Sequence, residues 1–144
     1  MTDQVYIGVD FGKRRIGMAR SDASAQIASA YKTITYKSIN IAIEEIVADL
    51  TEYEAVGVVV GNPVAPDGGD RGGSCKMVDD FISRLEKLID IPIYKTDERD
   101  SSVEAEAMIH MHGKKVGKDK GRLDRMAAAI ILQRFLDERS NNKL

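Results

Sequence analysis

Four acidic residues stand where a β-strand is expected to end or a helix to begin. Asp10 ends the first predicted strand, Asp97 and Glu98 end the fifth, and Asp124 opens the last predicted helix. Such carboxylates would repel one another unless a cation joined them. Hard oxygen ligands with no Cys or His nearby suit magnesium or manganese better than zinc. One or two such ions can assist an in-line displacement at phosphorus, so the pattern indicates phosphodiester chemistry.

Two of these acids also have an ordinary structural explanation when each is considered alone. Asp10 fits a buried turn cap, and Asp124 fits a first-turn carboxylate favoured by the helix dipole. Asp124 shares a helical face with Ala128 and Ile131, which predicts that it points toward the sheet. An acid on an apolar face needs a partner, so the combination of acids favours a metal site over these explanations.

Basic residues cluster although the whole chain carries a net charge of -2. Local charge is what a polyanion meets, so the clusters are candidate phosphate contacts, with a solvated loop as the simpler alternative. One group is Lys13, Arg14 and Arg15, and Arg71 lies alone in a glycine-rich loop. The second group comprises Lys114, Lys115, Lys118, Lys120 and Arg122.

The apolar pattern predicts the elements that would position these residues. The segments VYIGVDF and RIGMARSD form a hairpin about the turn at Gly12, ASAYKTITYK is a third strand, and AVGVVVG is a central strand covered on both faces. IPIYKTDER is a fifth strand. Helical spacing predicts four helices. The first runs from Ser38 to about Glu52, and the second is indicated by an apolar face of Val78, Phe81, Ile82, Leu85, Leu88 and Ile89. The third runs from Ser101 to about Met111, and the fourth from about Leu123 to Glu138.

This order predicts an α/β fold with a mixed five-stranded sheet and helices on both faces. An antiparallel three-strand meander comes first, and crossovers then add parallel strands. The 144 residues are expected to form a single domain, 1–144. In such sheets ligands lie beyond the carboxyl ends of the parallel strands, where the acids are expected.

Composition narrows the class further. Hydrophobic residues make up 43% and charged residues 31%, as in a globular protein, and no apolar run approaches the roughly 20 residues of a membrane span. With no secretion signal, a cytoplasmic location is expected. The single cysteine, Cys75, is expected to be a packing residue. His110 and His112 are two positions apart and are poorly placed to share a metal, and the loop 61–74 is not a Walker A motif.

A resemblance to a known family rests on four blocks: GVDFGKRRIGMARSD, VVVGNPVAPDGGDRGG, TDERDSS and RLDRMAAAIILQRFLD. In order and spacing they resemble the signature blocks of the YqgF family, also called RuvX. Its members have been described as Holliday junction resolvases and as pre-16S ribosomal RNA nucleases. The resemblance covers nearly the whole chain and implies a ribonuclease H-like fold, Mg²⁺ or Mn²⁺ as cofactor, and nucleic acid as partner.

The resemblance also implies roles for individual residues. Asp10, Asp97 and Asp124 would be the catalytic, metal-binding acids, with Glu98 as an alternative ligand. Strand alternation points Asp97 and Glu98 to opposite faces, and the resemblance favours Asp97. The basic residues, rather than the resemblance, supply the expected contacts to the nucleic-acid backbone: Lys13, Arg14, Arg15, Arg71 and Arg99, together with Lys114, Lys115, Lys118, Lys120 and Arg122.

Two positions depart from the family pattern. Asn62 stands where the family has Leu in a Gly-Leu-Pro motif, and Asp100 stands where an apolar residue commonly follows the DER motif. Asp100 could weaken the approach of phosphate or supply another metal ligand.

The expected function is metal-dependent hydrolysis of phosphodiester bonds, with processing of the 5′ end of pre-16S ribosomal RNA favoured. A DNA junction resolvase, a non-catalytic RNA-binding module and an actin-like nucleotide-binding domain stay open as alternatives. The actin-like fold normally needs two lobes, and this chain has length for one. The sequence leaves monomer and homodimer equally open.

Overall fold

A computed structural model describes residues 3–62, 74–97 and 120–141 of the chain. Its centre is a five-stranded sheet with the strand order β3-β2-β1-β4-β5. The strands are β1 (Tyr6–Phe11), β2 (Arg15–Ser21), β3 (Ala28–Thr35), β4 (Gly57–Asn62) and β5 (Ile93–Asp97). The first three strands pair antiparallel, whereas β4 pairs parallel with β1 and β5 parallel with β4. The predicted mixed sheet is confirmed.

Three helices of the described residues cover the two faces of this sheet. They are α1 (Ile39–Glu52), α2 (Ser74–Glu86) and α3 (Lys120–Asn141). Helices α1 and α2 lie on one face, where Phe81 and Ile43 are buried with Ile7 and Val58 of the strands. Helix α3 covers the other face through its apolar residues Ala128, Ile131, Leu132 and Leu136, which pack on Tyr6, Ala19 and Val59. Burial of a large aliphatic or aromatic side chain contributes about 1.5–3 kcal/mol, so both faces hold their helices firmly.

Helix boundaries follow local sequence where caps are strong. Ser38 is the N-cap of α1, and its hydroxyl accepts a hydrogen bond from the Ile41 N–H, as expected. The predicted face of the second helix is wrong at Leu88, which is 59% exposed because α2 already ends at Glu86. The last helix begins at Lys120, earlier than predicted. Asp124 therefore lies in the second turn, and its interpretation as a first-turn carboxylate is wrong.

An irregularity in strand pairing ties β3 to α1. The β2–β3 register shifts between Met18 and Ala19. Tyr31 and Lys32, which follow each other along β3, both reach the buried carboxylate of Asp49, the phenol hydroxyl at 2.8 Å and the ammonium at 2.9 Å. A bulge explains how two consecutive side chains reach the same face. Burial, and then the hydrogen bond to Asp49, raises the pKa of Tyr31.

Several predicted features lie outside the described residues. They are Arg71, Glu98, Arg99, Asp100, the helix from Ser101 to Met111, His110, His112, Lys114, Lys115 and Lys118. For Cys75, Asp97 and Lys120 only the backbone is described. None of the helices in the described part of the chain is long and apolar enough to cross a membrane.

Candidate functional site

Asp10 belongs to a row of residues that crosses the sheet from β3 to β1. Its pairing partner in β2 is Gly17, and the partner of Gly17 in β3 is Thr33. Paired residues of antiparallel strands project to the same face, so Thr33, Gly17 and Asp10 share one face. Along β1, alternation gives Gly8 the same face as Asp10, and a Cβ on Gly8 would lie 2.8 Å from Leu132 of α3. Asp10 therefore lies on the face that α3 covers.

The first two turns of α3 lie directly on this row. The Thr33 hydroxyl donates to the Gly121 carbonyl at 2.7 Å. A Cβ on Gly17 would lie only 2.0 Å from the backbone oxygen of Asp124. The helix backbone can come this close only because residue 17 has no side chain. The structure thus brings Asp124 over the residue that pairs with Asp10, although the two acids are 114 positions apart in the sequence.

 Packing of α3 on the sheet, rather than proximity along the chain, brings these two positions to the same part of the sheet.

Asp124 also bonds to the turn that joins β1 to β2. The Arg15 Nε donates to the Asp124 Oδ2 at 2.7 Å, and the two side chains are 35% and 22% exposed. Beside this pair is an open cavity of about 230 Å³, lined by Gly12, Lys13, Arg14, Arg15 and Asp124. Lys13 and Arg14 are exposed at its rim. Asp124 and the first basic cluster therefore meet at the end of the sheet where Asp10 lies.

The basic turn is held by main-chain and side-chain hydrogen bonds. The Gly12 N–H donates to the Arg15 carbonyl at 3.0 Å, and the Tyr36 N–H donates to the Arg14 carbonyl at 3.1 Å. The Tyr36 hydroxyl donates to the Gly12 carbonyl at 2.6 Å, and burial raises the pKa of this phenol. The Tyr36 ring stacks on Phe11, 6.1 Å between centroids. The turn therefore has a defined position relative to the sheet.

Asp97 ends β5 at the same edge of the sheet. Its backbone pairs with Asn62, one position beyond the pair formed by Gly61 and Thr96. Since Val9 pairs with Val60, Gly61 and Thr96 follow at the level of Asp10. Strand β5 is separated from β1 by β4 alone, a distance of about 10 Å at the usual spacing of strands.

Two buried polar atoms at this edge have no hydrogen-bond partner among the described residues. They are the Thr96 Oγ1 and the Asn62 Oδ1. Alternation along β4 and β5 gives Thr96 the face of Asp10 and Asn62 the opposite face. Within the described ranges no group of three acidic, histidine or cysteine side chains could hold a metal ion. Asp10 and Asp124 supply carboxylate oxygens, which fit magnesium or manganese, and a buried hydroxyl at the same level is compatible with that donor set.

Sequence reasoning missed four residues that build this site. They are Gly17, Tyr36, Thr33 and Arg125. Gly17 allows the close approach of α3, Tyr36 holds the turn, and Arg125 donates a hydrogen bond to the Thr33 hydroxyl at 3.0 Å. A glycine inside a strand is a recognised signal of close backbone approach, so Gly17 could have been found. Arg125 and Arg122 are three positions apart on α3, and both have further contacts. Nothing local in the sequence indicates the roles of Thr33 and Tyr36.

A larger cavity, of about 440 Å³, lies at the other end of β1 and β2. The Arg20 guanidinium stacks 4.7 Å from the centroid of the Tyr53 ring. The Asp22 carboxylate accepts hydrogen bonds from the Ile27 N–H, the Ser24 hydroxyl and a further backbone N–H. These bonds lower the pKa of Asp22 to about 2. The polar groups there stabilise the β2–β3 turn, so this cavity is a weaker candidate than the acidic one.

Comparisons with known proteins agree with the family resemblance and with the fold. The family profile described as "RuvX: Holliday junction resolvase" matches residues 4–138. A "Putative pre-16S rRNA nuclease" of Chloroflexus aurantiacus is 41% identical over 142 residues, which cover 99% of this chain and 92% of that protein. A protein of the same name from Rippkaea orientalis is 40% identical over 133 residues, covering 92% of this chain and 95% of that one.

Solved structures share the fold at low sequence identity. Thermus thermophilus RuvC, in complex with a Holliday junction substrate, superposes with a TM-score of 0.59 at 13% identity and covers 95% of this chain and 96% of its own. The fowlpox virus resolvase with Holliday junction DNA gives a TM-score of 0.58 at 11% identity, covering 94% and 99%. The fold is therefore ribonuclease H-like, as the family resemblance implies.

Proposed function

This chain belongs to the RuvX family, and from that premise we propose that it is a divalent-metal-dependent nuclease that trims the 5′ end of pre-16S ribosomal RNA. The observation that supports this proposal most directly is the position of Asp124, which lies over the residue that pairs with Asp10 and beside a basic turn. A site with acids and cations side by side suits a phosphodiester, because the acids can hold a metal while the cations attract phosphate.

Asp10 and Asp124 would hold a magnesium or manganese ion, with a third acid from the end of β5. When bound, the ion would lower the pKa of a water and offset the negative charge that develops on phosphorus. Asp97 is the third ligand favoured by the resemblance. Alternation within β5 gives Asp97 the face opposite to that of Thr96 and Asp10, so Glu98 is proposed beside it as the alternative ligand.

The basic residues of the turn would bind the nucleic-acid backbone. Lys13 and Arg14 are exposed next to the cavity, where they can reach phosphates without losing an internal ion pair. Arg71, Arg99, Arg122 and the loop with Lys114, Lys115, Lys118 and Lys120 would extend this contact. Phosphate contacts of this kind position a substrate but do not read its sequence.

RNA is the favoured substrate because relatives at about 40% identity over nearly the whole chain carry the name of a ribosomal RNA nuclease. A Holliday junction is the second candidate, because the family profile carries that description. An RNA substrate would place the protein in the cytoplasm, with ribosome precursors. A single domain spanning 1–144 would suffice to trim one RNA end, whereas paired cleavage of a junction calls for a symmetric dimer.

The test offers purified protein a precursor 16S RNA end and a synthetic four-way junction, each with Mn²⁺. Asp10→Asn should abolish cleavage and leave the fold intact, since it removes one charge and keeps the side-chain shape. Asp80→Asn, an exposed acid on α2, is the matched control and should cleave like the unchanged protein.

The outcomes separate the alternatives. Full activity of Asp10→Asn would contradict the proposed site, and preferred cleavage of the junction would favour the second candidate. RNA binding that persists in chelator, with no cleavage under any metal, would indicate a non-catalytic RNA-binding module. Stabilisation of the fold by ATP would instead indicate a nucleotide-binding domain. Asp97→Asn and Glu98→Gln, compared in the same assay, identify the third acid.

A further inference from the structure

The ion pair between Arg15 and Asp124 changes the role expected for Arg15. Sequence reasoning groups Arg15 with Lys13 and Arg14 as a phosphate contact. In the structure its Nε instead donates to the Asp124 Oδ2 at 2.7 Å, a distance typical of a charge-assisted hydrogen bond. Arg14 is exposed, whereas the Arg15 side chain is 35% exposed, so the two neighbours have different surroundings.

Arg15 lies in a part of the hairpin that several hydrogen bonds hold in place. Its backbone carbonyl accepts the Gly12 N–H at 3.0 Å, and its residue pairs with Thr35 of β3. Tyr36 fixes the same turn through the Gly12 and Arg14 carbonyls. On the other side of the pair, the backbone of Asp124 rests against Gly17. Both ends of the ion pair are therefore fixed by contacts other than the ion pair itself.

The contact is to one oxygen of the carboxylate. Among the described residues, Arg15 is the hydrogen-bond partner of the Asp124 side chain, and Oδ2 is the atom that accepts. Oδ1 is then the oxygen available to a cation. A guanidinium that took both oxygens would compete with a metal, but one that takes a single oxygen sets the orientation of the other.

We propose that Arg15 is a positioning residue, which holds the carboxylate of Asp124 so that its second oxygen faces the cation. This inference rests on the proposed metal site and adds to it a residue that would touch neither the metal nor the scissile phosphate. Arg15 acts through Asp124, whereas Lys13 and Arg14 act on the nucleic acid directly.

The size of the effect distinguishes positioning from simple charge. Loss of a side chain that orients a metal ligand typically weakens metal binding by about 10-fold to 100-fold. Removal of one nearby positive charge has the opposite sign, because it lessens repulsion of the cation. In physiological salt, with a Debye length of about 8 Å, that change is about twofold for an exposed charge. Positioning therefore predicts a net loss of affinity, and charge alone predicts a slight gain.

The experiment measures Mn²⁺ binding by titration calorimetry on the full chain without nucleic acid. Arg15→Gln should bind Mn²⁺ about tenfold or more weakly than the unchanged protein. Arg14→Gln is the matched control, since it removes the same charge from the same turn, and its Mn²⁺ affinity should change by about twofold at most. Arg15→Lys keeps the charge but not the Nε donor and should fall between them.

Activity gives a second readout that a merely structural defect would not produce. Cleavage by Arg15→Gln should have a reduced kcat that rises again as the Mn²⁺ concentration is raised, whereas Arg14→Gln should chiefly raise KM. Thermal unfolding of each variant shows whether it is folded. If Arg15→Gln does not fold, Arg15→Lys decides the matter, with an Mn²⁺ affinity at least about threefold lower expected.

Two results overturn the inference in different ways. Mn²⁺ affinity of folded Arg15→Gln equal to or above that of the unchanged protein, while Asp10→Asn weakens binding, would remove the role of Arg15 and keep the metal site. Unchanged protein that fails to bind Mn²⁺, or Asp10→Asn that binds it equally well, would overturn the metal site and the role of Arg15 together.

Discussion

Gly17 is the residue at which a one-carbon change should separate the two acids. A Cβ at this position would lie 2.0 Å from the oxygen and 2.3 Å from the carbon of the Asp124 carbonyl group. Both are backbone atoms, so no side-chain rotation can relieve the contact. Gly17→Ala must therefore move α3 and β2 apart.

The displacement and its cost follow from these distances. Cβ contacts below 3.0 Å are essentially never seen, so the Asp124 carbonyl has to retreat by about 1 Å. Overpacking of this kind costs about 1–3 kcal/mol of folding free energy, and the rigid backbone contact puts Gly17→Ala at the upper end. A shift of about 1 Å in a catalytic group can lower activity by about 100-fold.

Gly8→Ala provides the matched control. Gly8 lies on the same sheet face, and its Cβ would meet Leu132 at 2.8 Å and the Ala128 carbonyl at 3.0 Å, farther along α3 from Asp124. A movement of a few tenths of an ångström relieves these contacts, so about 1 kcal/mol is expected. Chemical denaturation measures both stabilities, and Mn²⁺ titration and nuclease assays on folded protein measure the site.

Gly17→Ala should lose Mn²⁺ affinity and cleavage, whereas Gly8→Ala should keep both. A Gly17→Ala protein with the unfolding free energy, Mn²⁺ affinity and cleavage rate of the unchanged protein would refute the geometry. Equal loss of activity in the two variants would show that general loosening of α3, rather than the position of Asp124, controls the site.

Three further predictions concern the contacts that hold the sheet and the basic turn. Asp49→Ala should lower the unfolding free energy by about 2 kcal/mol, because a buried acceptor for Tyr31 and for the partly exposed Lys32 is lost; a change below about 0.5 kcal/mol in urea denaturation would contradict this. Burial and Asp49 raise the pKa of Tyr31, and the pKa of Lys32 is also raised, because burial lowers it less than the bonds to acids raise it. The stability that these two groups contribute is present below about pH 10 and is lost above it. The loss of stability at alkaline pH should therefore be shallower in Asp49→Ala. Tyr36→Phe should cost about 1 kcal/mol and speed hydrogen exchange at the turn that begins with Gly12, and unchanged exchange would show that the 2.6 Å bond does not hold the turn.

The sequence predicted the elements that local chemistry determines. The N-cap at Ser38, the hairpin about Gly12 and the unbroken apolar run of β4 each depend on neighbours along the chain, and each is confirmed. The predicted start of α3 is late because Gly121 is a poor helix former and weakens the signal before Leu123. In the structure the Gly121 carbonyl accepts a hydrogen bond from Thr33, which is a tertiary contact.

Residue types and strand ends predict that Asp10 and Asp124 belong to one site, and this membership stays a prediction. The structure adds the packing that brings Asp124 over the residue that pairs with Asp10. The partner of Asp124 was not predictable, because Arg15 and Asp124 are 109 positions apart and either could have faced water. Only the packing of α3 against Gly17 decides that they meet, and this depends on the whole sheet being formed.

Apolar packing explains how α3 can hold Asp124 over the residue that pairs with Asp10 before any cation binds. Even two like charges as close as about 4 Å would repel by only about 1 kcal/mol in water and about 4 kcal/mol at an effective dielectric constant of 20. Four α3 side chains, Ala128, Ile131, Leu132 and Leu136, are buried against the sheet, and each large one contributes about 1.5–3 kcal/mol. This burial exceeds the repulsion, and the Arg15 guanidinium offsets part of what remains. A cation that binds Asp10 and Asp124 would then relieve their repulsion without moving the helix. None of its binding free energy would be needed to bring α3 onto the sheet.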